Sequence, residues 1–105
     1  MPSAARAARN EDLFRHVNEQ ILRLEESFGE PRPDSEFVCE CSRGDCTAKV
    51  TATLDEYRAV RAVDTHFLVA TDHVDLEHER VVRRNDRHTV VEKLGEAGAV
   101  AEAEA

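Results

Sequence analysis

The sequence predicts an α+β fold, with an N-terminal amphipathic helix, a cysteine-bearing β-hairpin, short helices and a small, mostly antiparallel sheet. Three observations support this fold class. Apolar residues recur at helical spacing through residues 10–29, whereas they alternate with polar residues through residues 37–52. Further along the chain, helical and strand patterns are mixed without the regular strand–helix–strand order of a parallel sheet, and this mixture favours an α+β architecture.

The first predicted element is a helix over residues 10–29. Asn10 is a suitable N-cap, and Gly29 is suited to the end of the helix. The apolar residues of this segment lie three or four positions apart and form one stripe: Leu13, Val17, Ile21, Leu24 and Phe28. We expect the stripe to pack on the protein's own sheet, with the apolar groove of a partner as the alternative. Two prolines within residues 30–36 then force an extended connection.

A β-hairpin is predicted next, and it carries all the cysteines of the chain. One face of its first strand contains Phe37, Cys39 and Cys41. The same face of its second strand contains Cys46, Ala48, Val50 and Ala52. A loop at residues 42–45, which includes Gly44, would join the two strands. The simplest register pairs Cys41 with Cys46, Cys39 with Ala48, and Phe37 with Val50.

Four shorter elements follow the hairpin. Thr53 and Glu56 form a capping-box signature, which predicts a short helix after Thr53. Strands are predicted at residues 65–71 and 87–94. Residues 75–86, between these strands, are predicted to form a helix, because helical spacing separates Val74, His78, Val81 and Val82.

The 105 residues are expected to form one domain. We predict a flexible N-terminus at residues 1–9, a single zinc-stabilised α+β domain at residues 10–94, and a disordered acidic tail at residues 95–105. The tail is a Gly/Ala/Glu run without a packing pattern. The chain contains no Trp, and 34% of its residues are charged, so few residues are left to form an apolar core. A bound metal would stabilise such a small core.

The chain is acidic, with a formal net charge of −8. An acidic surface repels both the nucleic-acid backbone and anionic lipid, so neither is an expected partner. The local exception is residues 80–87, which contain Arg80, Arg83, Arg84 and Arg87. No apolar run approaches the roughly 18 residues that a membrane span needs, and the N-terminus lacks the apolar segment of a secretory signal. We therefore expect a cytoplasmic protein that does not associate with membranes.

The three cysteines lie within eight positions, and four interpretations of them are open. They could be small core residues. Cys41 and Cys46 could form a disulfide, which would leave Cys39 as an unpaired thiol. All three could bind a metal, or zinc-bound thiolates could act as a redox switch. The metal site is favoured, because Cys39 and Cys41 point the same way from an extended strand and Cys46 reaches them from the facing strand.

Tetrahedral zinc needs a fourth ligand, and His73 is the predicted one. His73 follows the strand predicted at residues 65–71 and lies in a polar segment, from which a side chain is easily directed at an ion. His66 is the alternative, although a surface position suits it better. The other histidines are interpreted as exposed: His16, His78 and His88.

Several segments of the chain carry a further signal. They are FRHVNEQI, FVCEC followed by DC, LDEYRAVR, THFLVA followed by H and ERVV, and TVVEKLGEAG, and all of them lie within residues 10–99. Together they resemble a group of small actinobacterial proteins that have no assigned activity. Proteins of that group typically contain a Cys-Glu-Cys, a third Cys and a Gly-His after a strand. The resemblance carries that pattern over to Cys39, Glu40, Cys41, Cys46 and His73, with Asp72 in place of the glycine.

A zinc ion held by three thiolates and one imidazole has a closed shell, and closed sites are structural. The sequence also lacks a Gly-rich phosphate loop and a nucleophile elbow, so we do not expect an enzyme. We predict a regulatory or adaptor module that binds an unidentified protein partner. The alternatives are a zinc-thiolate redox switch and a nucleic-acid binder that uses the arginines of residues 80–87. The oligomeric state follows from none of these patterns.

Overall fold

The computed structural model describes residues 4–28, 34–41 and 46–104. The described residues form three helices: α1 (Ala4–Ser27), α2 (Leu54–Arg61) and α3 (Gly95–Glu104). They also form five strands: β1 (Ser35–Val38), β2 (Lys49–Ala52), β3 (His66–Val69), β4 (Glu79–Arg84) and β5 (Thr89–Lys93). This architecture confirms the predicted α+β fold class. In the described part of the chain, no helix combines the length and the apolar character needed to cross a membrane.

The described strands form two antiparallel sheets. In the first sheet, β1 pairs with β2, and Phe37 lies opposite Val50 as the sequence predicted. In the second sheet, β5 lies between β3 and β4. Because β5 is central, its residues Val90 and Val91 are buried. The loop predicted at residues 42–45 lies outside the described residues.

Residues 79–84 form β4, which corrects the helix predicted at residues 75–86. Val81 lies opposite Val91 of β5, and the register shifts between Val81 and Arg83. The spacing of the valines suits a helix face, but as a strand residues 79–84 satisfy the backbone hydrogen bonds along the second edge of buried β5. Long-range pairing therefore overrides the local pattern.

Residues 95–104 form α3, which corrects the disordered tail predicted at residues 95–105. α3 packs along α1, and Ala101 is fully buried. Gly98 comes so close to the end of β5 that a Cβ at this position would lie 2.8 Å from the carbonyl oxygen of Lys93. The small residues of this segment therefore permit close packing of a helix, which apolar periodicity does not reveal.

α1 begins at Ala4, ahead of the predicted N-cap Asn10. The face of α1 that packs on the domain also differs from the predicted one. Most of the predicted inner stripe lies on the surface, with exposed fractions of 61% for Leu13, 40% for Val17, 59% for Leu24 and 57% for Phe28. The buried side of α1 carries Arg15 and Asn18 instead, with Leu22 and one residue of the predicted stripe, Ile21, partly buried beside the core. α1 is thus attached to the domain largely through polar side chains.

Buried cations surround one core residue, Phe67. The guanidinium carbons of Arg15 and Arg61 lie 5.2 and 5.3 Å from its ring centroid, and Nζ of Lys93 lies 5.3 Å from it. Lys93 also forms an ion pair with buried Glu79. Burial opposes charge on both groups, so it raises the pKa of Glu79 and lowers the pKa of Lys93, whereas the ion pair between them favours the charged forms. Ion pairing and cation–π contacts offset part of the cost of burying these charges.

Thr53 and Glu56 form the predicted capping box at the start of α2. Oγ1 of Thr53 accepts a hydrogen bond from the Glu56 N–H at 3.0 Å, and Oε1 of Glu56 accepts one from the Thr53 N–H at 2.8 Å. The Glu56 carboxylate also accepts hydrogen bonds from the Arg87 guanidinium at 2.8 and 2.6 Å. This pairing with Arg87 lowers the pKa of Glu56 to about 2.

We expect Glu56→Gln to lower stability at neutral pH while keeping the capping box. The amide oxygen still accepts a hydrogen bond from the Thr53 N–H, but the charge that binds Arg87 is lost. Because the folded pKa of Glu56 is about 2 and its ordinary value is 4.5, its stabilising effect is complete above pH 4.5 and is lost as the pH falls toward 2. The urea midpoint of the variant should lie below that of the wild type at neutral pH and approach it in acid.

Asp55→Asn is the control for this comparison. Asp55 lies in the same helical turn, and its side chain is 92% exposed. If Asp55→Asn lowered the midpoint as much as Glu56→Gln, the effect would reflect the loss of any negative charge near the start of α2 and not the pair with Arg87.

Candidate metal centre

Cys39, Cys41, Cys46 and His73 lie together where the two sheets meet. Three Sγ atoms and one imidazole nitrogen, one from each residue, all lie within 4.8 Å of one another, so the group could hold a metal ion. These are the four residues that the sequence predicted as ligands. Cys39 and Cys41 are buried, whereas Cys46 and His73 are partly exposed.

The imidazole of His73 faces the cluster through Nδ1. This atom lies 3.5 Å from Sγ of Cys39 and 3.5 Å from Sγ of Cys46. Bond lengths of about 2.0–2.3 Å in a tetrahedral zinc site place its nitrogen and sulfur ligands about 3.5 Å apart, which matches both distances. His66, the alternative fourth ligand, is not part of the cluster, and its Nε2 lies 3.6 Å from Oε2 of Glu92.

Backbone hydrogen bonds attach the cysteine segment to both sheets. The N–H of Cys39 donates to the carbonyl of Ala48 at 3.1 Å, which continues the pairing of the hairpin in the predicted register. One residue later, the N–H of Glu40 donates to the carbonyl of Leu68 in β3 at 2.7 Å. The Cys-Glu-Cys segment therefore bridges the first sheet and the second.

A tight turn after β3 places His73. Its N–H donates to the carbonyl of Ala70 at 2.9 Å, the hydrogen bond of a β-turn. The N–H of Ala70 also donates to Sγ of Cys39 at 3.2 Å. Asp72 takes no positive φ, so this turn does not require a glycine at that position. The Asp72 carboxylate lies 3.5 Å from Nε2 of His73, where it can orient a ring that binds metal through Nδ1.

The donor set suits a thiolate-bound metal ion. Cys39, Cys41 and Cys46 form no disulfide. Contact with Cys41, followed by burial, raises the pKa of Cys39, and burial raises the pKa of Cys46. A cation among the sulfurs acts in the opposite direction, because it stabilises the thiolates. Crowded thiols beside an imidazole are therefore compatible with the chemistry of a soft cation site.

Glu40, which lies between the two buried cysteines, is itself completely buried. Its Oε2 accepts hydrogen bonds from Nδ2 of Asn18 at 2.8 Å and from the hydroxyl of Tyr57 at 2.5 Å. Its Oε1 accepts a hydrogen bond from the Leu68 N–H at 2.8 Å and lies 3.5 Å from Nη2 of Arg61. One carboxylate thereby links the ligand segment to α1, α2 and β3.

Asn18 and Tyr57 are held in place by further contacts. Nδ2 of Asn18 donates to the carbonyl of Val38 at 2.8 Å, and its Oδ1 accepts from the N–H of Val38 at 2.8 Å, so a helix side chain pairs with the last residue of β1. The ring of Tyr57 stacks on Phe37 with centroids 4.6 Å apart. Burial, followed by the charge of Glu40, raises the pKa of Tyr57, which keeps the hydroxyl protonated as a donor.

Sequence reasoning locates the four candidate ligands but misses the polar residues around them. Strand alternation places Glu40 on the face opposite the cysteines, and helical periodicity places Asn18 opposite the apolar stripe. Both residues are buried, because the Cys-Glu-Cys segment lies between α1 and the second sheet and the two side chains meet there. One signal is present in the sequence: Glu40 is the single charged residue of residues 37–41.

His88 is also placed differently from its interpretation as an exposed residue. It is buried, and its Nδ1 lies 2.9 Å from the carbonyl oxygen of Thr51 in β2. Its Nε2 lies 3.4 Å from Nδ2 of Asn85. His88 therefore connects the second sheet to the first through a hydrogen bond.

We expect Glu40→Gln to destabilise the protein by about 3 kcal/mol. The amide group presents hydrogens to partners that are themselves donors, and Arg61 loses its buried counter-charge. Urea unfolding followed by circular dichroism measures this change. Glu36→Gln, at an exposed carboxylate on β1, is the matched control. A loss no greater than that of the control would mean that the Glu40 carboxylate does not hold these elements together.

Comparisons with known proteins gave no match: no family model fits the chain, and neither the curated proteins nor the solved structures include a significantly similar one.

Proposed function

We propose that the four residues bind a zinc ion that stabilises the fold of a small, non-catalytic protein-interaction module. The observation that carries this proposal is the convergence of three thiols and one imidazole nitrogen within 4.8 Å. Zinc binds sulfur and nitrogen ligands tetrahedrally, and these four residues would complete its shell. A complete shell leaves no position for a substrate or an activated water, which supports a structural role.

The proposed ion joins parts of the chain that are distant in sequence. Cys39 and His73 are 34 positions apart, and they belong to the hairpin and to the turn after β3. Structural zinc contributes on the order of 10 kcal/mol of apparent binding energy, which in small domains is folding energy. Because the chain has few aromatic residues to form a large apolar core, such a cross-link would contribute a large share of its folding stability.

The ligand segment also holds the surface that we propose for partner binding. Glu40 lies between two ligands and accepts a hydrogen bond from Asn18 of α1, so loss of the ion would also loosen α1. The outward side of α1 exposes a set of apolar side chains: Leu13, Val17, Leu24 and Phe28. An apolar surface of this kind on an acidic chain supports an adaptor or regulatory role in which α1 contacts another protein.

The cytoplasm suits this proposal, because its reducing conditions keep thiols available for a metal. Nucleic-acid binding through residues 80–87 has less support. Arg80 pairs with Glu92 at 2.6 Å, and Arg87 pairs with Glu56 at 2.6 Å. Two of the four arginines in this segment are therefore already neutralised by acidic neighbours.

Native mass spectrometry of the purified protein should find one zinc ion per chain. Cys39→Ser should remove the ion and lower the melting temperature strongly, because a thiolate ligand and its cross-link are lost. His73→Ala should weaken zinc binding less, since three thiolates remain. His66→Ala is the matched control and should retain the metal, because the imidazole of His66 pairs with Glu92.

Two results would contradict this assignment. A wild-type protein that contains no metal, and whose melting temperature does not respond to added zinc or to a chelator, would exclude the structural role. Loss of zinc from His66→Ala but not from His73→Ala would show that the fourth ligand is His66.

A zinc-thiolate redox switch is the second candidate, and one observation favours it. Cys46 is partly exposed, whereas Cys39 and Cys41 are buried, so an oxidant can reach one sulfur of the site first. Hydrogen peroxide would take two electrons from Cys46 and a neighbouring thiolate, which form a disulfide. With two protons from solvent the peroxide becomes two water molecules, and the zinc is released.

Mild peroxide treatment in the presence of a zinc-sensitive dye tests this switch. We expect release of the zinc ion, with recovery after a dithiol reductant and zinc are added. The reference is release by the dye alone, without peroxide. Release that is no faster with peroxide than without it would count against the switch and would leave the structural site in place.

A further inference from the structure

One side chain of α1 binds the residues on both sides of Cys39. Oδ1 of the Asn18 amide accepts a hydrogen bond from the Val38 N–H at 2.8 Å, and its Nδ2 donates to the Val38 carbonyl at 2.8 Å. The same Nδ2 also donates to Oε2 of Glu40 at 2.8 Å. Asn18 is fully buried, so its oxygen and nitrogen bind the chain in place of water. This one amide therefore holds both chain neighbours of a candidate metal ligand.

Hydrogen bonds fix the peptide groups before and after Cys39. In the peptide group before it, the Val38 carbonyl accepts from Asn18 at 2.8 Å, and the Cys39 N–H donates across the hairpin at 3.1 Å. In the peptide group after it, the Glu40 N–H donates to the carbonyl of Leu68 at 2.7 Å. Because peptide groups are planar, fixing both of them fixes the backbone dihedrals of Cys39 and the direction of its side chain. The bonds of Asn18 therefore help to direct Sγ of Cys39 at the cluster.

We propose that Asn18 is a positioning residue of the metal centre, and that the docking of α1 thereby regulates how tightly the centre holds zinc. This inference rests on the zinc site proposed above and names its regulation. None of the four candidate ligands lies on α1, so the helix acts through the Cys-Glu-Cys segment and not through a bond to the ion. Loss of a group that orients metal ligands typically weakens metal binding roughly 10–100-fold.

Separation of α1 from the hairpin would break the bonds that hold the ligand segment. The N–H and the carbonyl of Val38 would each lose a partner, and the buried carboxylate of Glu40 would lose one of its donors. Buried polar groups without partners are costly, so the segment would rearrange to satisfy them, and Cys39 and Cys41 would move with it. Because linkage between two binding events is reciprocal, an ion that fixes the segment favours docked α1 by the same free energy.

Other contacts of α1 lie away from the ligand segment. Nη1 of Arg15 donates to the carbonyl of Asp64 at 2.9 Å, and Leu22 packs beside the core. These contacts hold α1 on the domain when the bonds of Asn18 are removed. A variant of Asn18 can therefore loosen the ligand segment in a folded protein.

Asn18→Ala in the full chain tests the proposal with two measurements. The Kd for zinc, measured by competition with a chelator of known affinity, should rise at least about tenfold. Cobalt(II) in place of zinc gives absorption bands that report the geometry of its ligands, and these bands should shift because Cys39 is held less firmly. Ala is a better helix former than Asn, so neither change can come from a weaker α1. Circular dichroism of the loaded samples checks that the variant is folded.

Leu22→Ala is the matched control, because Leu22 also attaches α1 to the core but does so by apolar packing. Its loss lowers the stability of the fold without removing the hydrogen bonds that hold Val38 and Glu40. The cobalt bands of Leu22→Ala should match those of the wild type, and its Kd for zinc should rise by no more than its loss of folding stability explains.

Three outcomes separate this proposal from the zinc site on which it rests. A folded Asn18→Ala with the cobalt bands and zinc Kd of the wild type overturns the role of Asn18 and leaves the zinc site standing. Cobalt bands that shift equally in Leu22→Ala also overturn it, because any loosening of α1 would then have the same effect. A wild type that binds neither zinc nor cobalt contradicts the metal site and this inference with it.

Asn18→Ser is the second variant, for use where Asn18→Ala does not fold. Its hydroxyl is shorter than the amide and cannot bind Val38 and Glu40 together, so both readouts should change in the same direction but less. Cobalt bands and a zinc Kd equal to those of the wild type in this variant would likewise overturn the role of Asn18.

Discussion

The buried carboxylate of Glu40 is the constraint on which the rest of the structure depends. A carboxylate removed from water is stable only when donors surround it. Its donors come from α1, α2 and β3, through Asn18, Tyr57 and the Leu68 backbone. Satisfying one side chain therefore brings three elements to one point. Because Glu40 has a cysteine on each side, the same requirement brings two thiols to the junction of the sheets.

The thiol cluster and the carboxylate are two parts of one junction. The alternating directions of successive side chains send the sulfurs of Cys39 and Cys41 to one side and the carboxylate of Glu40 to the other. His73 joins the sulfurs through the turn after β3, while Leu68 of the same strand binds Glu40. The hairpin and β3 are therefore connected twice, by the thiol–imidazole cluster and by hydrogen bonds to a charge. This double connection compensates for a core with few large apolar side chains.

A polar interior also explains the unusual surface of α1. Buried polar side chains help to attach α1 to the domain: Arg15 lies over the ring of Phe67, and Asn18 binds β1 and Glu40. An amphipathic helix normally buries its apolar stripe. Here the buried groups that need partners are a carboxylate, an aromatic face and backbone atoms, and polar side chains satisfy them better. Most of the apolar stripe consequently lies on the outer side of α1.

The sequence by itself determined the features that follow from local rules. Alternation set the hairpin register, and the Thr53–Glu56 pair set the start of α2. The position of His73 after a strand predicted that His73 would lie beside the cysteines, as it does. Only the tertiary structure decided that residues 79–84 pair with β5, that residues 95–104 pack as a helix, and which face of α1 is buried. Periodicity shows which residues share a face, but the direction of that face depends on contacts with distant residues. In this protein those contacts are the pairing of β4 with β5, the close packing of α3 against α1, and the hydrogen bonds of buried polar groups, which no local pattern encodes.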